Sequence, residues 1–281
     1  MPLDLSLVGR STEPKDFTYD WKDTVLYALG VGAKRDELDY LYEGRGPHVL
    51  PSFAVVPMFG PMFDLVAKTG GDLAMIVHGG QKVRVHAPLP PSGTVKTSAT
   101  VRGIYDMRKL AVVHIGTEIR GAGGELLAET LSNLIFRGAG GFGGELPPKE
   151  EKSAEIPKDR APDFTVEEAT TPEQALLYRL NGDPNPLHAD PKFAADVGFA
   201  QGPILHGLCT YGFMVRHVAK GACGGDARRV KAFDVSFRKP VWPGDTLVTE
   251  GWKLDGGKVA LRVSVKERSE QVLTGAWAEI G

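Results

Sequence analysis

A strand, a corner rich in proline and glycine, and a second strand occur twice in this sequence of 281 residues. The first copy covers residues 82–101 and the second covers 233–249. Two further strand-like segments follow each copy, at 110–120 and 125–136 in the first half and at 258–265 and 271–280 in the second. Apolar and polar residues alternate over 258–265, and this period of two indicates an antiparallel strand with one buried face. The pattern therefore predicts a duplicated unit of antiparallel strands.

Few segments have a helical pattern, and the longest of them, over 204–219, is largely apolar. We expect Gly221 to end this helix. Gly207 and Gly212 inside it each cost about 1 kcal/mol relative to alanine, which indicates that another part of the molecule or a ligand approaches closely there. Shorter helices are predicted over 24–29, with Asp20 as N-cap and Gly30 or Gly32 as the end, and over 58–68, 173–180 and 191–197. A mostly apolar helix wrapped by antiparallel strands predicts an α+β layer fold.

A glycine-rich run over 138–144 and a charged, proline-rich run over 147–153 separate the two halves. Such segments bury little, so they predict a flexible linker at the surface. We divide the chain into an N-terminal unit of residues 1–145, a linker of residues 146–160 and a C-terminal unit of residues 161–281. The glycines are not followed by Gly-Lys-Ser/Thr, so they do not predict a phosphate-binding loop.

Composition narrows the class of protein. An apolar fraction of 42% and a charged fraction of 24% predict a globular chain with a full core. The net charge of −2 gives no support for a nucleic-acid surface, and no apolar run approaches the roughly 20 residues that cross a bilayer. The chain start lacks the pattern of a signal peptide, and the C-terminus lacks a peroxisomal signal of the Ser-Lys-Leu type. With Cys209 and Cys223 expected to be unpaired thiols, these features predict a cytoplasmic protein.

The chemistry is concentrated in Tyr-Arg-Leu-Asn-Gly-Asp-Pro-Asn-Pro-Leu-His, residues 178–188, where Asp183, Asn185 and His188 lie within six residues. A second motif, Pro-Ile-Leu-His-Gly at 203–207, precedes the long helix, whose first N–H groups are available to a developing negative charge. An acid/base pair beside such a site is suited to adding water across an activated double bond. The first motif is also rich in residues that form tight turns, so a purely structural turn is the alternative. A turn alone does not require His188 after it or His-Gly before a helix.

These residues resemble the hydratase 2 (MaoC-like) family of (R)-specific enoyl-CoA hydratases, whose signature is an aromatic residue, a short gap and small-Gly-Asp-x-Asn-Pro-aliphatic-His. Segments 27–33, 42–44, 50–53, 138–144 and 203–209 look like the two-unit form of that family. In that form a degenerate N-terminal hot-dog unit is fused to a catalytic C-terminal one. The resemblance implies a double hot-dog fold, with two antiparallel sheets that each wrap a central helix and are joined as a pseudo-dimer. It also implies a homodimer.

The resemblance further implies roles for particular residues. Asp183 and His188 would be the catalytic pair, Asn185 would hold the reacting water or the loop, and the backbone N–H of Gly207 would stabilise an oxyanion. An accessory acidic residue corresponds to Glu43. Substrate or CoA contacts correspond to His78, Gly79, Arg108, His206 and Phe237, although His206 has the alternative of capping the helix. Two departures are Met107, where relatives have a CoA-contacting lysine that Arg108 or Lys109 would replace, and Gly202, which looks like an insertion.

The expected substrate is an acyl-CoA thioester, with no metal and no other cofactor. Three alternatives stay open. A dehydratase acting on acyl-carrier-protein substrates would use the same groups, and an inactive protein would only bind acyl-CoA. A thioesterase of similar fold would not explain the spacing of Asp183, Asn185 and His188.

Overall fold

The computed structural model describes residues 3–148 and 154–281. Six α-helices occur in this part of the chain: α1 (Trp21–Gly30), α2 (Leu38–Leu41), α3 (Phe59–Val66), α4 (Gln174–Tyr178), α5 (Pro191–Asp196) and α6 (Gly207–Ala222). The strands of the first half are β1 (Lys15–Tyr19), β2 (Ile76–Val85), β3 (Gly93–Asp106), β4 (Leu110–Arg120) and β5 (Leu126–Arg137). Those of the second half are β6 (Phe164–Ala169), β7 (Val230–Phe237), β8 (Thr246–Lys253), β9 (Lys258–Val265) and β10 (Glu270–Ile280). Short 3₁₀ helices fill several connections, including Glu43–Arg45, Pro51–Val55, Arg179–Asn181 and Pro186–His188.

The ten strands form one antiparallel sheet in the order β1-β3-β4-β5-β2-β7-β10-β9-β8-β6. Each half of the chain contributes five adjacent strands, and the two halves meet where β2 pairs with β7, with Gly80 opposite Ser236 and Arg84 opposite Ala232. We call this β2–β7 pairing the seam. The predicted α+β fold, with two antiparallel sheets placed edge to edge as a pseudo-dimer, is confirmed.

The strand predictions hold best in the centre of each half. The predicted bounds 110–120 and 258–265 are those of β4 and β9. The outermost strands, β1 and β6, were not predicted. They have only five and six residues and are exposed or half-buried at nearly every position. Their strand conformation comes from pairing with β3 and β8 and not from a strong local pattern.

Helix α6 is the buried centre of the second half. It begins at Gly207, later than predicted, because the preceding residues are extended and the N–H of Leu205 donates to the carbonyl of Val241 (2.7 Å). It continues to Ala222, so the prediction that Gly221 ends it is wrong. A Cβ on Gly221 would lie 2.2 Å from the ring of Phe164, so this glycine permits close packing inside the helix. Gly224 and Gly225, with φ of 66° and 91°, turn the chain after the helix.

The shorter helices α1, α3, α4 and α5 lie where the sequence predicts them, and α2 was not predicted. Asp20 caps α1 through a capping box with Asp23, as its type and position predict. In the first half, the 3₁₀ helix Pro51–Val55 is fully buried and contacts α6, β2 and β5, and α3 packs against β3 and β4. None of the helices in the described residues is long and apolar enough to cross a bilayer.

The glycine-rich run was predicted to be flexible, but its backbone is bound to a carboxylate. Asp106, the last residue of β3, accepts hydrogen bonds from the N–H groups of Gly141 (2.8 Å) and Gly143 (2.7 Å), and also from that of Arg108 (2.8 Å). These bonds hold the run against the β3–β4 turn and lower the pKa of Asp106. Residues 1–2 of the predicted N-terminal unit and residues 149–153 of the predicted linker lie outside the described residues, and the unit boundaries stay a prediction.

A buried ionic cluster joins the two halves behind α6. The side chain of Arg216, on α6, is fully buried and hydrogen-bonds to Glu37 and to the Val31 carbonyl (2.8 Å) of the first half. It also pairs with Glu168 of β6 at 3.2 Å. Lys220 lies 3.1 Å from Glu37. We call Arg216, Glu37 and Glu168 the arginine cluster.

Candidate active site

The motif of residues 178–188 forms a series of tight turns between α4 and α5. Gly182 has a φ of 106°, a conformation that glycine adopts readily, and it turns the chain so that Asp183 follows the 3₁₀ helix Arg179–Asn181. The Asp183 carboxylate accepts a hydrogen bond from the N–H of Asn185 (3.2 Å). The side-chain oxygen of the exposed Asn185 accepts one from the N–H of Leu187 (3.0 Å). Asn185 therefore braces the turn, which was one of its two expected roles, and the turn chemistry presents His188.

His188 is held in one tautomer by the backbone. It is 8% exposed, and its Nδ1–H donates to the carbonyl of Ile204 at 2.8 Å. The other nitrogen, Nε2, then carries the lone pair and can accept a proton. Burial lowers the pKa of His188 below its ordinary value. The imidazole is therefore neutral at physiological pH, as a general base requires.

Asp183, His188 and His206 converge. One side-chain ligand atom of each residue lies within 4.8 Å of those of the other two, and Nε2 of His206 is 4.0 Å from the Asp183 carboxylate. Two hydrogen bonds of about 2.8 Å to one tetrahedral water span about 4.6 Å, so a single water can bridge Asp183 and His188. The predicted catalytic pair is thus brought together, with the Asp183 side chain 20% exposed.

The start of α6 lies next to this pair. Gly207 is the first residue of the helix, directly after His206, and the His206 side chain makes no capping hydrogen bond. Within the described residues, the N–H groups of Gly207 and Leu208 donate to no acceptor, as is usual for a first helical turn. A free N–H at the positive end of a 16-residue helix is suited to binding an oxyanion.

Residues from both halves meet beside Gly207 at the seam. A Cβ on Gly207 would lie 3.1 Å from the ring of Phe237, and that ring lies 5.2 Å from the ring of His78, centroid to centroid. Burial lowers the pKa of His78 to about 4, and its Nε2 is buried with no partner among the described residues. Gly79 permits packing, since a Cβ there would lie 2.6 Å from Ile135. His78, Phe237 and Gly207 are therefore grouped as expected, across the seam.

Arg108 lies in the exposed β3–β4 turn with a φ of 66°. This turn is at the same end of the sheet as His78, because Ala111 pairs with Phe136 and Phe136 pairs with Ile76. The position is two strands from the seam, at the rim of the site. It is compatible with an arginine that meets the distal part of a long substrate.

Glu43 is not brought to the catalytic pair. It is exposed in the 3₁₀ helix Glu43–Arg45. The preceding residues pack against the far end of α6, where the hydroxyl of Tyr40 donates to the carbonyl of Gly225 (2.5 Å). The helix is about 24 Å long, and no hydrogen bond or ion pair in the described part of the chain joins the Glu43 side chain to Asp183 or His188.

Two functional contributors were missed. The Ile204 carbonyl orients His188, but a backbone acceptor carries no sequence signal. Tyr178, at the aromatic position of the motif, is 1% exposed and its ring lies 4.9 Å from that of His206. Its place in the motif was visible, although no role was assigned to it.

Comparison with known proteins identifies the family of the chain. Residues 153–276 match the model of the MaoC-like domain, and residues 17–138 match that of the MFE-2 hydratase 2 N-terminal domain. The chain is 41% identical to 3-hydroxyacyl-thioester dehydratase Y of Mycobacterium tuberculosis, over 94% of this chain and 92% of the relative. It is 38% identical to the peroxisomal enoyl-CoA hydratase 2 of Arabidopsis thaliana, over 97% and 93%. The chain belongs to the MaoC-like hydratase 2 family.

A solved structure supports the same conclusion for the fold. The MaoC-like dehydratase from Phytophthora capsici superposes with a TM-score of 0.88 at 32% identity, covering 99% of this chain and 98% of that protein. The expected double hot-dog fold of the family is therefore confirmed. As members of this family are, the chain is a hydro-lyase.

Proposed function

We propose that this MaoC-like protein hydrates trans-2-enoyl-CoA to (3R)-3-hydroxyacyl-CoA and catalyses the reverse dehydration. The observation that carries the proposal is the convergence of the Asp183 carboxylate and the His188 imidazole within 4.8 Å, beside the free N–H groups of α6. The names of its relatives, enoyl-CoA hydratase 2 and 3-hydroxyacyl-thioester dehydratase, describe the two directions of one reaction.

The thioester carbonyl would accept a hydrogen bond from Gly207 N–H. As water attacks C3, charge moves onto that oxygen, and a preorganised donor of this kind contributes about 3–4 kcal/mol to the transition state. Phe237 and His78 would line the space next to the carbonyl, since Phe237 packs beside Gly207 and His78 packs against Phe237 from the other side of the seam. Arg108, at the rim, would meet the CoA phosphates.

The reacting water would lie between Asp183 and His188. His188 Nε2 carries the free lone pair because its Nδ1–H is bonded to Ile204. The pair removes one proton as the hydroxide bonds to C3, and it returns a proton to C2 on the same face, so the elements of water are added overall. We assign this proton to the pair as a unit and not to one of its two members, and such positioned acid–base assistance contributes about 10²–10⁴-fold in rate.

The test is a chain-length series of trans-2-enoyl-CoA substrates with chiral analysis of the product. We expect the (3R) alcohol; a (3S) product, or no turnover of any chain length, would refute the proposal. Asp183→Asn and His188→Gln should each lower kcat about 10²-fold or more with the fold intact. Asp196→Asn and His86→Gln serve as controls, because these side chains are 60% and 36% exposed and lie in surface ion pairs. Activity of the wild-type level in either active-site variant would show that the pair is not catalytic.

CoA is the proposed carrier because the resemblance to the two-unit form associates the first half with acyl-CoA. Parallel assays with CoA and carrier-protein thioesters distinguish this from a dehydratase of carrier-bound acyl chains. Release of free CoA from acyl-CoA would identify a thioesterase, and binding without turnover would identify a non-catalytic module.

No metal or other cofactor is needed in this proposal. Asp183, His188 and His206 are the one group of three in the described residues whose atoms are close enough to hold a metal ion. His188 bonds to the Ile204 carbonyl and His206 to the Asp183 carbonyl through one ring nitrogen each; metal-bound histidines have the same kind of bond, so a chelation experiment is the test. Activity that persists after exhaustive chelation supports this, and activity that requires added zinc or another divalent ion would contradict it.

We also propose a cytoplasmic homodimer. The location is supported by two buried, unpaired cysteines, Cys209 and Cys223, which are typical of a reducing compartment. The Arabidopsis relative is described as peroxisomal, so cell fractionation with peroxisomal markers is the decisive test. Light scattering on the purified chain tests the dimer, and a monomer at micromolar concentration would refute it.

A further inference from the structure

His206 packs against His188 of the catalytic pair and is almost completely buried. It is 1% exposed. Its ring stacks on the His188 ring, with centroids 3.6 Å apart and an angle of 26° between the planes, and its neighbouring aromatic ring is Tyr178 at 4.9 Å. We call Tyr178, His206 and His188 the ring stack. A residue sealed in this way is poorly placed to touch an acyl chain.

The polar atoms of His206 show which tautomer is present. Nε2 is 3.4 Å from the backbone carbonyl of Asp183, so Nε2–H is the donor, while Nδ1 is buried without a partner in the described part of the chain. Burial first, and then the neighbouring His188 and the charge of Arg179, lower the pKa of His206 to about 2. The ring is therefore neutral over the whole working range of an enzyme. The role of helix cap is absent, because the side chain makes no capping bond.

We propose that His206 is a positioning residue: its stacked ring fixes the plane of His188 while its N–H holds the Asp183 backbone, so that both groups face one water. This inference rests on the proposed hydratase function and adds to it a residue that need not touch the substrate.

The need for this residue follows from the contacts of His188. The single bond from Nδ1–H to Ile204 holds one edge of the imidazole, but small changes in χ1 and χ2 can still tilt the ring while this bond is kept. A flat neighbour at 3.6 Å removes this freedom. Misplacement of a reacting group by about 1 Å can cost 10²-fold in rate. A neutral ring face also tolerates the positive charge that His188 gains when it takes a proton, as aromatic faces do.

Three substitutions separate the two contacts of His206. His206→Phe keeps a flat ring and loses the N–H donor, His206→Gln keeps a donor and loses the ring, and His206→Leu loses both. We expect kcat to fall about 10- to 100-fold in the Leu variant, with an intermediate loss in the Phe and Gln variants and KM within twofold of wild type in all three. The control is His86→Gln, a substitution at a partly exposed surface histidine. If the Leu variant does not fold, the Phe variant, which fills a similar volume, gives the result.

Titration of His188, followed by NMR of ¹⁵N-labelled histidines, provides a readout that does not depend on activity. The groups that face the His188 ring are Asp183, His206 and the Ile204 carbonyl, with Arg179 beyond His206. Loss of the ring in the Gln and Leu variants admits water, so the pKa of His188 should rise towards its ordinary value and the acidic limb of kcat should move to higher pH. A merely structural residue would lower stability without moving this titration.

The outcomes are distinct. An unchanged His188 titration together with unchanged kcat in the Leu variant overturns the proposal. A raised KM with unchanged kcat also overturns it, and instead makes His206 a substrate contact. If the wild-type protein hydrates no enoyl-CoA, the proposed function fails, and a His188 titration that still shifts in the variants shows that the positioning contact itself is real.

Discussion

Arg216→Met should destabilise the protein strongly, because the arginine cluster is buried and joins the two halves. The substitution removes the guanidinium from two carboxylates, Glu37 and Glu168, whose side chains are only 11% and 10% exposed. It also leaves the Val31 carbonyl without its 2.8 Å donor. Removing one partner of a buried ion pair costs about 3–5 kcal/mol.

The lower end of that range applies here, since Lys220 remains 3.1 Å from Glu37. A loss of about 3 kcal/mol corresponds to a decrease in Tm of about 6–12 °C for a chain of this size. The assay is thermal and urea unfolding at pH 7. Arg84→Met is the matched control: Arg84 also joins the two halves, through Glu279 at 3.1 Å, but it is 41% exposed, so its removal should cost at most about 1 kcal/mol.

The pH dependence gives a second check. Burial would raise the pKa of Glu168, but the contact with His217, whose Nε2 lies 3.5 Å from the carboxylate, and the charge of Arg216 outweigh this and lower the pKa from 4.5 to about 2. The stabilisation is therefore complete above about pH 4.5 and is lost as the pH falls towards 2. Without Arg216 the buried Glu168 binds a proton more readily. The free energies of unfolding of wild type and Arg216→Met should therefore converge as the pH falls from about 4.5 towards 2. Equal stability of Arg216→Met and wild type at pH 7, or a difference that grows on acidification, would refute the reasoning.

Three other perturbations test separate contacts. Gly212→Ala places a Cβ 2.3 Å from Val31, so we expect a loss of about 1–3 kcal/mol in urea unfolding; no loss would mean that α6 and the first half can separate freely. Burial lowers the pKa of His188, and the neutral imidazole is the base. We therefore expect kcat/KM to stay constant from pH 8 down to the ordinary pKa range of histidine and to fall only at lower pH. A fall centred above pH 7 would contradict this. Asp106→Ala removes the acceptor that orders the turn carrying Arg108, so KM for acyl-CoA should rise with little change in kcat, and an unchanged KM would separate that turn from CoA binding.

Local patterns predicted much of the fold. Alternation over 258–265 is a property of consecutive residues, so β9 was found with its bounds. Asp20 as an N-cap is equally local. The edge strand β6 was missed because its extended conformation depends on hydrogen bonds to β8. Its own residues do not show a strong strand pattern. The end assigned to α6 at Gly221 was wrong because the packing of Phe164, distant in sequence, decides the role of that glycine.

The sequence by itself determined which groups are available for chemistry, because Asp183 and His188 lie in one short motif whose turns hold them within a few residues. Only the tertiary structure decided how these groups are used. The Ile204 carbonyl that sets the His188 tautomer and the stacking of His206 depend on a segment 16 or more residues away. The contact between His78 and Phe237 depends on the pairing of β2 with β7, which come from different halves of the chain. Hydrophobic periodicity records which face of a strand is buried, but it carries no record of which distant strand or carbonyl lies against it.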